Sequence, residues 1–264
     1  MEATKAPVEI SRVIIEDEKF FRITNHDFMR PFFMSIVSDS NHWMFIASNG
    51  GLTAGRKNSE HAIFPYYTDD KVTETFETTG SKTVFRVAVG GKIHVWEPFS
   101  IRSDGFFKTT RNLYKNVYGN KIIFEEHNHD LGLVFRYQWA SSNRYGFVRK
   151  AWIENVSEAA REISFVDGLQ NILPSAVGAN TQNSSSNLVD AYKRSELEQK
   201  TGMGLYALSA IIVDKAEPSE ALKANVVWSY GIDKPLHLLS TLQLNNFRKG
   251  LDLVEEVDIK AEKG

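Results

Sequence analysis

The chain has 264 residues, 42 % hydrophobic and 24 % charged, a balance that suits a folded soluble protein and excludes an intrinsically disordered one. Lys and Arg total 31 against 33 Asp and Glu, and a net charge of −2 gives no broad attraction for nucleic acid or an anionic membrane, so neither is expected as a partner. Cysteine is absent, which excludes disulfides, thiolate metal sites and cysteine nucleophiles.

In chain order, Met1 to Ile10 carry Glu2, Lys5 and Glu9 and no apolar h-region, so no export signal is expected there. No uninterrupted apolar run approaches the ~18 residues needed to cross a bilayer. The expectation is a cytoplasmic protein, or one whose signal has been trimmed. Asn49-Gly50-Gly51 followed by Arg56 reads as a loop. Paired glycines let a backbone turn tightly and approach a ligand, and Arg56 offers a planar donor fork. The loop lacks the lysine and Ser/Thr that end a phosphate-binding P-loop. The other reading is a long hairpin connection. Phe64-Pro65-Tyr66-Tyr67-Thr68-Asp69-Asp70 is an aromatic strip with an acidic end, suited to rim a sugar site or to pack on a partner domain.

Thr83 to Val89 and Lys92 to Trp96 alternate as strands do, and Gly90-Gly91 between them signals a two-residue hairpin. Lys121 to Glu126, Leu131 to Trp139, Tyr145 to Ile153 and Glu162 to Val166 read the same way, with reversals at Tyr118-Gly119-Asn120 and Asn143. Leu131, Leu133, Phe135, Tyr137 and Trp139 share one face, with Arg136 and Gln138 on the other. Trp139 is therefore expected in the core, while Trp96 and Trp152 fall on the opposite pattern; they are candidates for exposed indole faces that stack on sugars, the other reading being core, where aromatics on strands more often lie. Helical spacing is confined to Asn187–Lys200, with Asn187 and Asp190 as a capping pair, Asp190/Arg194 and Glu196/Lys200 at i,i+4, and Gly202 to end it. The polar run Asn180 to Ser186 before it reads as an exposed loop. Strand-like Val254 to Ile259 is followed by Lys260-Ala261-Glu262-Lys263-Gly264, which reads as a cut end as much as a natural one.

About a dozen candidate strands with turn signals roughly every 8 to 12 residues predict an all-β fold, a large two-layer antiparallel β-sandwich with one short helical insertion near 187–200. Residues 1–264 are expected to form one domain.

The segment Trp152-Ile153-Glu154-Asn155-Val156-Ser157, followed by Arg161 and a β run, resembles a recurring hairpin in the N-terminal β-sandwich of cellobiose phosphorylase and related glycoside phosphorylases. Phe20 to Asn25 resembles that domain's opening strand, and Ser48 to Arg56 resembles its glycine-rich loop; the three occur in the same order, and the resemblance runs from about Phe20 to the end, nearly the whole chain. The resemblance implies a galactose-mutarotase-like supersandwich that is the N-terminal part of a larger protein. It also implies a catalytic (α/α)6 barrel as partner, carbohydrate as ligand, a possible homodimer and no catalytic residue in this chain.

The expected function is thus a non-catalytic domain of a carbohydrate-active enzyme, with Asn49, Gly50, Gly51, Arg56, Tyr66, Tyr67, Trp96 and Trp152 at a sugar-binding or interface loop. No cofactor and no metal are expected. The weak metal candidates are Glu125, His127 and His129, which share a strand face. One alternative is a free-standing sugar mutarotase or epimerase. It needs one group to take the anomeric proton and another to protonate the ring oxygen. His26, His61, His94, His127 and His129 are available for it, with Glu97, Glu125 and Glu126. The other alternative is a carbohydrate-binding module.

Overall fold

Alternation puts every second side chain of a strand on one face, and in the computed structural model of the protein that face is core. Leu131, Leu133, Phe135, Tyr137 and Trp139 are each at most 4 % exposed, while Arg136 and Gln138 remain half-buried. The structure describes residues 7–210 and 223–261. Glu2, Lys5, Glu262, Lys263 and Gly264, read above at the two ends, lie outside the described residues.

The strands are β1 (Glu9–Ile15), β2 (Glu18–Thr24), β3 (Phe33–Ile36), β4 (His42–Ala47), β5 (Leu52–Arg56), β6 (Gly80–Val89), β7 (Lys92–Trp96), β8 (Thr109–Asn116), β9 (Lys121–Asn128), β10 (Leu133–Ser142), β11 (Gly146–Asn155), β12 (Glu162–Gln170), β13 (Lys193–Glu198), β14 (Met203–Leu208), β15 (Asn225–Val227) and β16 (Asp258–Lys260). The helices are α1 (Asp69–Glu74), α2 (Ala179–Tyr192) and α3 (Thr241–Lys249). Strand accounts for 44 % of the structure and helix for 16 %, so the chain is mostly β, with several antiparallel sheets.

The chain forms two compact units. The first takes the residues up to Leu52, Thr68–Glu77 and Thr83–Asp167. Its main sheet is antiparallel, in the order β1-β2-β8-β9-β10-β11. In β9–β10 Phe124 pairs with Tyr137 and Glu126 with Phe135, and in β10–β11 Tyr137 pairs with Ala151. The β6–β7 hairpin turns at Gly90 and Gly91, with φ of 58° and 77°, as the paired glycines predict. Phe85 of β6 stacks on Trp96 of β7 at 5.1 Å and meets Phe135 of β10 edge-on at 5.2 Å, so these sheets share an aromatic core. Arg149 of β11 grips Asp167 of β12 with two parallel bonds of 2.7 and 2.8 Å.

The second unit takes Thr53–Tyr67, Thr78–Lys82 and the chain from Gly168 onward. Its sheet runs β15-β14-β13-β16, and Leu197, Leu239 and Ile259 form one of its buried apolar clusters. α3 begins with a capping box: the Ser240 hydroxyl accepts from Gln243 N–H, and Gln243 reaches back to the Ser240 backbone.

The helix expected over Asn187–Lys200 is displaced toward the N-terminus. The polar run expected as a loop lies within α2, interrupted by non-helical backbone at Ser185 (φ −142°, ψ 31°). Residues 193–198 are strand because Lys193, Ser195 and Leu197 are buried in alternation with half-buried Arg194, Glu196 and Glu198. Asp190 pairs with Lys193 at 2.9 Å, and Arg194 pairs across the β13–β16 ladder with Asp258 at 3.1 Å. Gly202, at φ 69°, turns the chain between β13 and β14 and ends no helix.

Candidate functional site

The glycine-rich loop joins β4 to β5. Asn49 holds it: its Oδ1 accepts from Gly51 N–H at 3.2 Å and its Nδ2 donates to Thr73 O at 2.8 Å. Gly50 sits at φ 94°. A Cβ on Gly51 would lie 2.1 Å from the carbonyl oxygen of Val72 in α1. The close approach that glycine permits here is thus to the protein's own helix.

Trp96 corrects its expectation. It is 0 % exposed, stacked on Phe85, with its indole N–H donating 2.7 Å to Glu126 Oε1. It cannot present a face to a sugar. Trp152 of β11 is half-buried against the cluster of Phe20, Tyr114 and Ile123, with the Lys150 ammonium 5.3 Å from its ring centre.

Around Glu126 lies a buried polar centre that the sequence did not single out as such. Its Oε2 accepts from Phe99 N–H at 2.6 Å and from Arg111 Nε at 2.7 Å, and Arg111 continues to Asp104 at 3.1 Å. Beside it His26 is 4 % exposed, and its Nε2 is buried with no hydrogen-bond partner. Burial, with the Arg111 guanidinium adding to it, pushes the His26 pKa down to about 4.

Neighbouring Glu125 accepts from Asn112 at 2.6 Å and Tyr114 at 2.8 Å, and pairs with Arg136. Burial raises its pKa, but the Asn112 amide, Arg136 and Tyr114 outweigh it and hold the carboxyl below the usual range. Glu125 therefore faces a filled set of protein donors. The His127 and His129 rings lie 4.2 Å apart, and His129 Nε2 bonds Thr110 Oγ1 at 2.8 Å. Among the described residues no group of three or more His, Asp or Glu could hold a metal ion.

Arg56, Tyr66 and Tyr67 lie in the second unit. Arg56 ends β5 and is exposed. Tyr66 and Tyr67 are 41 % and 37 % exposed; the Tyr66 N–H donates to Gln182 Oε1 of α2 at 2.9 Å. Partial burial, and then the Asp190 carboxylate, raise the Tyr67 pKa. The same unit exposes a run of large apolar side chains that strand and helix patterning did not flag. Trp228, Leu236 and Leu242 are 45–60 % exposed, Leu251 is 55 %, Val254 is 70 % and Tyr230 is fully exposed.

The Asn155 turn is well built. Asn155 Oδ1 accepts from the Ser157 backbone N–H at 3.0 Å and its hydroxyl at 2.7 Å, while Nδ2 donates to Ala159 O at 2.9 Å. Arg161 Nε closes the turn on Leu131 O at 3.0 Å. No helix among the described residues is long and apolar enough to cross a membrane. No protein-family profile matches the chain, and no curated protein matches it.

Proposed function

We propose that the chain is a non-catalytic accessory β domain of a larger carbohydrate-active enzyme, of the galactose-mutarotase-like sandwich type. It packs on a catalytic (α/α)6 barrel and shapes the entrance to a sugar site. The observation that carries this reading is the exposed apolar series from Trp228 to Val254. Apolar exposure of that extent in one stretch suits a surface that another folded domain covers. The ordered resemblance of Phe20–Asn25, Ser48–Arg56 and Trp152–Ile163 to the glycoside phosphorylase domain supports the carbohydrate assignment. Two of the three candidate carboxylates are committed to protein donors, Glu125 to Arg136, Asn112 and Tyr114, and Glu126 to Trp96, Phe99 and Arg111. That favours a supporting role over mutarotase chemistry.

The test is to express the chain alone and assay phosphorolysis and hydrolysis of a panel of β-glucosides, with polarimetry on glucose and galactose alongside. Rates equal to buffer are expected. Robust turnover of a glycoside, or accelerated mutarotation, overturns the reading.

A further inference from the structure

A cavity of about 310 Å³ opens in the second unit, between the 3-10 turn Ser59–His61 and the start of α2. Glu60, His61, Ser175, Gly178, Thr181 and Lys223 line it. Its wall is built by specific contacts. Asn58 Oδ1 accepts from Glu60 N–H at 3.1 Å and stands 2.9 Å from His61 Nδ1. That bond makes Nδ1 the donor in the neutral ring and leaves Nε2 as the acceptor. A Cβ on Gly178 would lie 1.9 Å from Glu60 Oε2 and 2.9 Å from Glu60 Cα, so the glycine is what admits Glu60 to the wall. Ala176 holds φ at 65°, a conformation that residues other than glycine rarely adopt, where the chain turns between Ser175 and α2.

The lining chemistry selects among ligands. A bare anion meets the Glu60 carboxylate, and a bare cation meets the Lys223 ammonium. A neutral molecule with several hydroxyls suits both, because each hydroxyl donates and accepts. Glu60 and His61 Nε2 accept its protons, Lys223 donates, and Ser175 and Thr181 do either. The volume lies at the lower end of small-ligand sites, about 300–1,000 Å³, which suits one sugar ring better than a nucleotide. Beyond the cavity the chain follows α2. Glu60 lies against Gly178, Tyr66 bonds Gln182, and Tyr67 feels Asp190.

We infer that this cavity binds the terminal ring of a neutral saccharide, with Glu60 and His61 accepting its hydroxyls and exposed Tyr66 and Tyr67 continuing the path along α2. The saccharide class rests on the accessory-domain reading; the preference for a neutral polyhydroxyl ligand over an ion rests on the cavity alone.

Amide NMR spectra of the full chain, titrated in parallel with glucose, cellobiose, maltose and inorganic phosphate, test the assignment. At least one saccharide should shift the amides of Glu60, His61, Gly178 and Thr181. Glu60→Gln and His61→Ala, both at exposed positions, should each weaken that binding about tenfold, the loss expected for one hydrogen bond to a charged or strongly polar group. Phosphate shifting those amides while no saccharide does overturns the assignment, as does silence with all four. Saccharide binding that leaves these amides unmoved, or that survives both substitutions, also overturns it while the accessory-domain reading stands. Glycoside turnover by the isolated chain removes that reading without touching the binding result.

Discussion

The indole N–H of Trp96 donates to Oε1 of Glu126 at 2.7 Å, and both side chains are fully buried. Glu126 also takes the Phe99 amide and the Arg111 guanidinium, so one carboxylate ties β7, β8 and β9 together. A buried pair broken from one side leaves an uncompensated charge. Glu126→Gln should therefore destabilise the protein by about 3–5 kcal/mol. Trp96→Phe, which removes one donor and keeps most of the ring, should cost about 1–3 kcal/mol. Urea unfolding followed by circular dichroism reads both, and a Glu126→Gln midpoint equal to wild type would contradict this role.

His26 makes stability depend on pH. Its folded pKa, about 4, lies below the ordinary value of 6.5. Between those values the unfolded chain takes up a proton that the folded chain refuses. The contribution is thus fully present above pH 6.5 and lost as pH falls toward 4, with a maximum of roughly 3 kcal/mol. Glu125, with its lowered pKa, adds a loss in the same direction at still lower pH. Urea titrations at pH 7, 6, 5 and 4.5 should show this slope, and His26→Leu should flatten it. An unchanged slope in the variant would remove His26 as its source.

The glycine-rich loop separates scaffold from ligand contact. Gly51→Ala forces a Cβ against the Val72 carbonyl and should cost about 1–3 kcal/mol, as overpacking does. Arg56→Ala, at an exposed strand end, should change stability by no more than about 0.5 kcal/mol. Thermal melts of the two variants suffice. Equal melting temperatures would mean that the loop does not depend on its seat against α1.

Arg149 is used as a fork, not as a charge. It bonds both Asp167 oxygens, reaches Thr83 Oγ1 at 3.2 Å and lies 5.0 Å over the Tyr137 ring. Lysine keeps the charge and loses the fork and the stacking. Arg149→Lys should cost about 1–3 kcal/mol, whereas Lys150→Ala, which breaks the exposed pair with Glu16, should cost at most about 1 kcal/mol. Denaturant midpoints of the two distinguish them.

Strands with one apolar face were legible in the sequence. Lys92–Trp96 has the predicted bounds, and β10 buries the predicted face. The face of β7 was not legible, because Ile93 and Val95 are apolar too. These are the exposed pair, at 54 % and 37 %, and Trp96 goes inside to reach Glu126. A partner 30 residues away decided that choice, and no local pattern encodes it.

The region after Val166 was harder for a different reason. Residues 193–198 carry both i,i+4 charge pairs and alternating burial, and the cross-strand partner Asp258 settles the competition. α3 did carry a readable signal, since Ser240-Thr241-Leu242-Gln243 is a capping-box sequence and Gly250 follows the last turn. Among the candidate site residues, Asn49, Gly50 and Gly51 were recognisable as special backbone, but the helix that demands them lies outside the motif. Glu60 and His61 come to the cavity through Gly178, more than a hundred positions on.

The boundaries between the two units fall at Leu52/Thr53, Tyr67/Thr68, Glu77/Thr78, Lys82/Thr83 and Asp167/Gly168, so the polypeptide passes from one to the other five times. Three of those passages run through unbroken strands, β5, β6 and β12. Neither unit is therefore a contiguous stretch of gene. Recombination cannot shuffle, duplicate or delete one and leave the other whole, and no truncation isolates either. The first unit cannot be completed on the ribosome until residue 167 has been made.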